Sequence, residues 1–331
     1  MREAVSPVVD LQRTDDARRD ALFALAQALR ETGYRFTTVT PASHGHVNAR
    51  PENARARSLR DVFGWSRPFE TGLVPSDLLN LMEQAGILLR DRNTGLMRAG
   101  LRLSSLDDAL FLHAAYPPLA ADAVFFGPDT VRYVGAVQAH LDDRARAGLP
   151  APRRGVDLGC GSGAAGILVA KRLPEAEMVL VDINPAALDL AQVNARLADV
   201  SNIRPALSDM LQDVEGGFDL IISNPPFMID AGGRAYRDGG GTLGAGLPLR
   251  VVEAATERLN PNGSLVLFTG SAIVDGHDGF REAAIALSDR SGLDWTYREY
   301  DPDAYGEELA EPVYAKVERI ALCVLTATRS A

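Results

Sequence analysis

The segment Ile221–Phe227, IISNPPF, sets an amide side chain and two prolines directly after an apolar run. Prolines cannot donate to a sheet ladder, so the run ends as a strand and the remainder is a stiff turn. Asn224, which precedes Pro225, is driven to an extended backbone. Its side-chain carbonyl and the Pro225 backbone carbonyl then stand as two fixed acceptors. Such a pair suits an amide or an aromatic amine, whose nitrogen is a poor nucleophile because its lone pair is delocalised. Hydrogen bonds from both N–H groups favour a pyramidal nitrogen and aim the lone pair. No strong general base is required, since the proton becomes acidic once the nitrogen is alkylated. The prolines, Pro225 and Pro226, hold the geometry, and Phe227 offers a flat apolar face. The plain structural alternative is a Pro-Pro strand terminator beside a core phenylalanine.

Upstream lies a glycine loop, VDLGCGSGAAG (Val156–Gly166). Gly159, Gly161 and Gly163 in alternation suit a nucleoside-sulfonium cofactor, while Gly161-x-Gly163-x-x-Gly166 satisfies the dinucleotide fingerprint. Asp182, at the end of the second strand, fits the ribose hydroxyls of either ligand. Two features favour the first. Asp157 sits just ahead of the glycines, where a carboxylate suits a cationic, amino-acid-bearing ligand and would repel a pyrophosphate. Asp209 and Met210, in ALSDM (Ala206–Met210), end a third strand, with Asp209 placed to accept from an adenine amino group. A turn-capping Asp and a core Met are the bland alternatives taken singly; in this order the chemical reading prevails.

In order and spacing these motifs resemble class I S-adenosylmethionine-dependent methyltransferases. The N-P-P-[FY] form resembles the branch that methylates planar nitrogens, which includes the HemK/PrmC glutamine methyltransferases of release factors, the RsmC-like guanine N2 rRNA enzymes and the adenine N6 methyltransferases. The resemblance runs over about Phe125–Thr328 and does not reach the first 120 residues. It implies S-adenosyl-L-methionine as cofactor, with Asp157, Gly159, Gly161, Gly163, Asp182, Ile183, Asp209, Met210 and Asn224 around it. Asn224, Pro225, Pro226 and Phe227 become the catalytic segment. It implies as partner a protein with a release-factor-like glutamine loop, or alternatively an RNA or DNA base. VFFGPDTVRY (Val124–Tyr133) resembles the P-R-P-x-T-E segment ahead of the HemK/PrmC core, but Gly127 replaces the first proline and Val131-Arg132 the Thr-Glu flank. A linker turn explains it equally well. A nicotinamide-dependent dehydrogenase is the remote alternative; it lacks an obvious catalytic His or Tyr-Lys pair and leaves NPPF unexplained.

The elements that must carry these residues follow from periodicity. From Arg154 onward strands and helices alternate: Gly155–Leu158, Ala164–Arg172, Met178–Val181, then a helix capped by Asn184 with Pro185 at its first turn and an inward stripe of Leu190, Val193 and Leu197. Phe218–Ser223, a helix over Leu249–Leu259, Ser264–Thr269 and a closing pair, Trp295–Tyr300 with Val317–Thr328, complete it. The pattern predicts a doubly wound, Rossmann-like α/β sheet, mostly parallel, with an antiparallel closing strand over 154–331. A smaller α+β unit is expected over 1–120, and a linker helix packed on the core over 121–153. In that first unit Asp16–Thr32 reads as an amphipathic helix and Pro75–Leu88 as a helix capped near Ser76. A turn at Asn93-Thr94-Gly95 then joins β-leaning runs. Helix then hairpin fits a winged helix or a helical lid with a β-ribbon. Arg234–Arg250 is glycine-rich and fits a flap or a surface loop.

Charge narrows the partners. The net charge is −10, and residues 1–150 balance at 18 Arg against 18 acidic residues, so the acidic excess lies in the second half. Polyphosphate contacts would therefore fall to the first half. Arg50–Arg67 holds five Arg, two acidic residues and the aromatic Phe63 and Trp65; it fits an RNA-facing patch or a solvated Arg-rich surface. Two cysteines, Cys160 and Cys323, make no disulfide framework, and the five histidines show no metal spacing. No apolar run is long enough to span a membrane, and the mixed-charge N-terminus lacks a signal core, so a cytoplasmic location is the default.

Overall fold

The computed structural model of the chain describes residues 16–91, 94–118, 120–230 and 237–331. It opens with α1 (Asp16–Glu31), α2 (Pro41–Asn48), α3 (Leu59–Phe63) and α4 (Ser76–Gln84). Two hairpins follow: β1 (Leu88–Arg90) with β2 (Met97–Ala99), and β3 (Leu101–Leu106) with β4 (Ala109–Ala114). Then come α5 (Pro128–Arg146), β5 (Arg154–Leu158), α6 (Ala164–Arg172), β6 (Glu177–Asp182), α7 (Pro185–Leu197), β7 (Ile203–Leu207) and β8 (Phe218–Ser223). The chain ends with α8 (Gly246–Arg258), β9 (Leu259–Val274), β10 (His277–Asp278), α9 (Gly279–Arg290), β11 (Leu293–Ala304) and β12 (Arg319–Arg329).

The main sheet runs β7-β6-β5-β8-β9-β12-β11, with β10 paired to β9. It is parallel from β7 through β9, and β12 inserts antiparallel between β9 and β11. Helices cover both faces. Val137, Ile167 and Ala191 pack on one side, and Val251, Phe280 and Ala284 on the other. Being covered twice, β8 reads as the unbroken run Leu220-Ile221-Ile222, all fully buried. Each of these side chains contributes about 1.5–3 kcal/mol of burial. Strand order reverses between β5 and β8, and in an open α/β sheet the crevice at that switch point is where ligands bind.

Local signals explain most boundaries. Asn184 Oδ1 accepts from Ala186 N–H at 3.0 Å, with Pro185 opening α7 as expected. Two expectations are corrected. α4 is preceded by Pro75, with Ser76 already helical and no side-chain cap. β9 extends well beyond Ser264–Thr269 because β12 pairs along its far half.

The stripe Leu190, Val193 and Leu197 does not face the sheet. It packs with Leu22, Leu25 and Leu29 of α1 in a core shared with the N-terminal elements, while Leu188, Ala191 and Ala195 meet the sheet. α7 is thus buried on two sides. Asp189 on the same helix pairs with Arg19 at 2.8 Å. Asn194, fully buried, accepts from Leu112 N–H at 2.7 Å and donates to Leu112 O at 3.0 Å and to Ser162 O at 2.9 Å. It joins the β4 ribbon to the glycine loop.

The Arg50–Arg67 segment divides: Arg50, Arg55, Arg57 and Arg60 are exposed, while the stretch from Val62 onward is turned inward. Arg67 is buried against Asp61 at 2.5 Å and Asn48 at 2.9 Å. Arg55 pairs with Glu70, Phe63 is buried, and the Trp65 ring packs edge-on against Phe36. Its aromatic rings are spent on the fold rather than offered to bases. Of the expected Asn93-Thr94-Gly95 turn, Asn93 lies outside the described residues, as do residues 1–15 and the start of the glycine-rich segment, Arg234–Tyr236. Gly95 N–H donates to Asp91 O at 2.9 Å. Among the described residues no helix is long and apolar enough to cross a membrane, and no cluster of His, Cys, Asp or Glu is arranged to hold a metal.

Candidate active site

The glycine loop turns sharply between β5 and α6. Gly159, Gly161 and Gly163 take φ of 68°, 52° and 77°, a region that side chains with a Cβ rarely enter. Asp182, at the carboxyl end of β6, accepts from Gly161 N–H and from Asn184 N–H, both at 2.9 Å. The loop is held from behind by Asp157, which is 1% exposed. Its two oxygens accept from Tyr133 Oη and from Gly166 N–H, each at 2.9 Å. Burial pushes its carboxyl up to about 7, against the pull of those two donors. Asp157 therefore stands behind the loop and organises it, whereas the sequence placed it on the ligand.

A cavity of about 190 Å³ opens in front of the loop. Its walls include Gly159, Gly161, Asp182, Ile183, Asp209, Met210 and Asn224, so most of the expected cofactor residues do converge. Gly163 is not on the wall. It is the residue ahead of α6, where a Cβ would meet Ile167 and Ala191. Ile183 is 61% exposed, an apolar side chain standing open at the rim. Asp209 is engaged by Arg250 of α8 at 2.9 and 3.0 Å, a competitor that the sequence did not reveal. Cys160 is buried, and burial pushes its thiol well up; it is a filler, as its position between glycines implied.

A second cavity, about 300 Å³, meets the first at Asn224, Pro225, Pro226 and Phe125. Ser223 Oγ donates to Leu158 O at 2.7 Å and locks the end of β8 to β5. Just beyond it, Asn224 Oδ1 is buried and has no hydrogen-bond partner among the described residues. A buried amide oxygen left unpaired costs about 1–3 kcal/mol, so its retention at the seam marks it as an acceptor for something else. The Phe227 ring lies over Gly270 of β9, where a Cβ would collide with it, and meets Tyr305 edge-on at 5.9 Å. The glycine-rich segment packs here. Gly239 N–H donates to Met228 O at 2.8 Å, and Leu247 N–H to Gly239 O at 2.8 Å. A Cβ on Gly244 would strike the Phe227 carbonyl. Over the described part, these glycines permit close backbone contact with NPPF.

The far wall was missed by sequence reading. It comes from the C-terminal end of β11, where two register shifts against β12 redirect the strand. They bring Asp301, Asp303, Tyr305 and Glu307 to the second cavity, beside Asp129 and Arg132 of α5. Arg132 bridges Asp129 at 3.1 Å and Asp301 at 3.4 Å, and burial pushes Asp129 up to about 6. Arg237 is paired with Glu308 and, at 3.4 Å, with Asp230. The alternation of a β-strand gives no hint of such bulges.

Residues 139–274 match the methyltransferase small domain family. A release factor glutamine methyltransferase of Koribacter versatilis is 32% identical over 165 residues, 46% of this chain and 54% of that protein. A ribosomal RNA small subunit methyltransferase C of Haemophilus influenzae is 43% identical over 82 residues, 25% of this chain and 24% of that protein. The chain thus spans about half the length of the first relative and a quarter of the second. Among solved structures, Trm5b from Pyrococcus abyssi overlays with a TM-score of 0.48 at 16% identity, over 78% of this chain and 72% of that one.

Proposed function

We propose that this chain, which carries a methyltransferase small domain of the branch holding both glutamine and ribosomal RNA enzymes, transfers a methyl group from S-adenosylmethionine to a planar nitrogen, with a protein glutamine amide as the favoured substrate. The observation that carries this reading is Asn224 Oδ1, buried and unpartnered where the two cavities meet. S-adenosylmethionine, when bound, supplies an electrophilic methyl on a sulfonium. The glycine loop, Asp182, Ile183 and the Ser208–Met210 turn line the cavity that would hold it.

The protein's own part is positional. Asn224 Oδ1 accepts one N–H of the substrate amide, and the Pro225 carbonyl accepts the other. With both hydrogens tied down, the lone pair is turned toward the first cavity. The Ser223–Leu158 bond and the two prolines keep those acceptors still, which is what makes them useful to a weak nucleophile. Phe227 and Tyr305 bound the flat group, and the proton leaves after methylation to solvent or to a carboxylate at the cavity wall.

Charge favours a protein over a nucleic acid. Asp129, Asp301, Asp303 and Glu307 line the second cavity against Arg132 and Arg237, and both arginines are already paired. Phosphates would be repelled there. The reading with a nucleic-acid base keeps one support, the higher identity over the segment shared with the ribosomal RNA enzyme. The dehydrogenase reading has none, because none of the described histidines lines either cavity. A cytoplasmic location accords with either substrate.

The test is labelled-methyl transfer from S-adenosylmethionine into a lysate, followed by protease or nuclease digestion. Protease-sensitive label is expected; nuclease-sensitive label selects the base instead. Asn224→Ala should abolish transfer and leave S-adenosylhomocysteine binding intact, and full activity in that variant would refute the role assigned to the amide.

A further inference from the structure

A third cavity of about 200 Å³ adjoins the second and shares Pro41, Phe125, Pro128 and Arg237 with it. Its wall carries Arg102 of β3, which is 6% exposed. Arg102 Nε donates to Ala114 O at 3.2 Å, and the guanidinium lies 5.9 Å from the Tyr116 ring centre. Its Nη1 is buried without an acceptor among the described residues. The groups that act on it electrically are phenols, Tyr34 and Tyr116. His44 and His113 lie near enough to feel its charge, and burial keeps both neutral. Buried cations are as a rule paired, because desolvation is otherwise uncompensated. Arg237, on the same cavity, shows the rule kept, with Glu308 and Asp230 beside it. Arg102 breaks it.

We propose that this cavity binds a carboxylate of the substrate, an Asp or Glu side chain or a chain terminus close to the methylated amide, with Arg102 Nη1 as the donor. The proposal rests on the amide reading above. The carboxylate is assigned to the substrate because the cavity shares four wall residues with the second cavity and only Val124 and Phe125 with the first. A carboxylate rather than a nucleic-acid phosphate is assigned because the adjoining walls carry Asp129, Asp301, Asp303 and Glu307. A single negative charge can pass those carboxylates to reach one Arg, whereas a polyanion would lie along them.

Arg102→Met keeps the apolar stem of the side chain and removes the guanidinium with its charge. The probes are acetate, inorganic phosphate, and glutamine peptides carrying one Asp at successive positions beside an Asn control. Binding is measured to the enzyme saturated with S-adenosylhomocysteine. Wild type should favour one Asp position by about ten- to a hundredfold, the range of a buried charge-assisted hydrogen bond. Acetate should raise its melting temperature. Arg102→Met should lose the preference and the acetate response, keep its S-adenosylhomocysteine affinity, and melt at the same or a higher temperature.

Three results overturn the proposal. One is a variant that melts lower together with a wild type indifferent to acetate, which makes Arg102 structural. Another is weakened binding of S-adenosylmethionine but not of methylthioadenosine, which gives the carboxylate to the cofactor. The third is an RNA oligonucleotide that competes with phosphate in wild type alone. If acetate protects wild type yet no glutamine peptide is methylated, the amide reading fails, and with it the assignment to a peptide.

Discussion

Replacing Tyr133 with phenylalanine removes one hydroxyl from behind the glycine loop, and its cost should depend on pH. In the folded protein the Asp157 carboxyl titrates at about 7, raised by burial; in the unfolded chain it titrates near 3.9. Between those values the folded state holds a proton that the unfolded state releases. The stability this carboxyl contributes is therefore present at pH 4 and is lost as pH rises to 7, by about 4 kcal/mol at ~1.4 kcal/mol per unit. The bond from Tyr133 Oη, at 2.9 Å, limits that loss. It is worth about 0.5–1.5 kcal/mol to a neutral acceptor and about 1.5–3 to a charged one. Without it the carboxyl should titrate about one unit higher. Tyr133→Phe should thus cost about 1 kcal/mol at pH 5.5 and about 2–3 kcal/mol at pH 9. Burial pushes the Tyr133 phenol itself well up, so it stays neutral across that range. Urea unfolding of both proteins at the two pH values measures the difference. A cost that changes by less than about 0.5 kcal/mol would refute the charge on Asp157 or its bond to Tyr133.

Asn194→Ala leaves Leu112 N–H, Leu112 O and Ser162 O without their partner; at about 1–3 kcal/mol for a buried donor and less for each carbonyl, unfolding should show about 3–5 kcal/mol lost. S-adenosylhomocysteine affinity should fall with it, though Asn194 is not on the cavity wall. Gly244→Ala meets both a φ of 85° and the Phe227 carbonyl, so methyl transfer should drop at least tenfold with cofactor binding retained, as steady-state kinetics and calorimetry can separate. Ile183→Ser, at an exposed rim position, should leave the urea midpoint within ~0.5 kcal/mol of wild type while weakening S-adenosylhomocysteine several-fold.

What could be read in the sequence was what short-range geometry dictates. Gly159, Gly161 and Gly163 needed positive φ, Asn184-Pro185 announced a helix, and β8 ended where Pro225 forced it to. The order of these signals sufficed for the doubly wound α/β sheet and the convergence of its loops. What escaped depends on partners far along the chain. Asp157 looked like a ligand residue because nothing local shows Tyr133 meeting it. Asp209 gave no sign of Arg250, 41 residues on. Arg102 sits between leucines in a strand, where alternation points it to solvent, yet the packing of β3 and Tyr116 encloses it. The Asp301–Glu307 wall owes its place to bulges set by register with β12.

The two-sided burial of α7 bears on how such a protein can be rebuilt. A chimera that carried the sheet and its loops under a different N-terminal half would leave Leu190, Val193 and Leu197 as an oily stripe in water. Asn194 would lack a ribbon to grip. The two halves are therefore coupled through α7, whose side chains pack against the sheet on one side and the N-terminal elements on the other. A workable graft has to exchange those three side chains for polar ones, or bring α1 and the β4 ribbon along with α7.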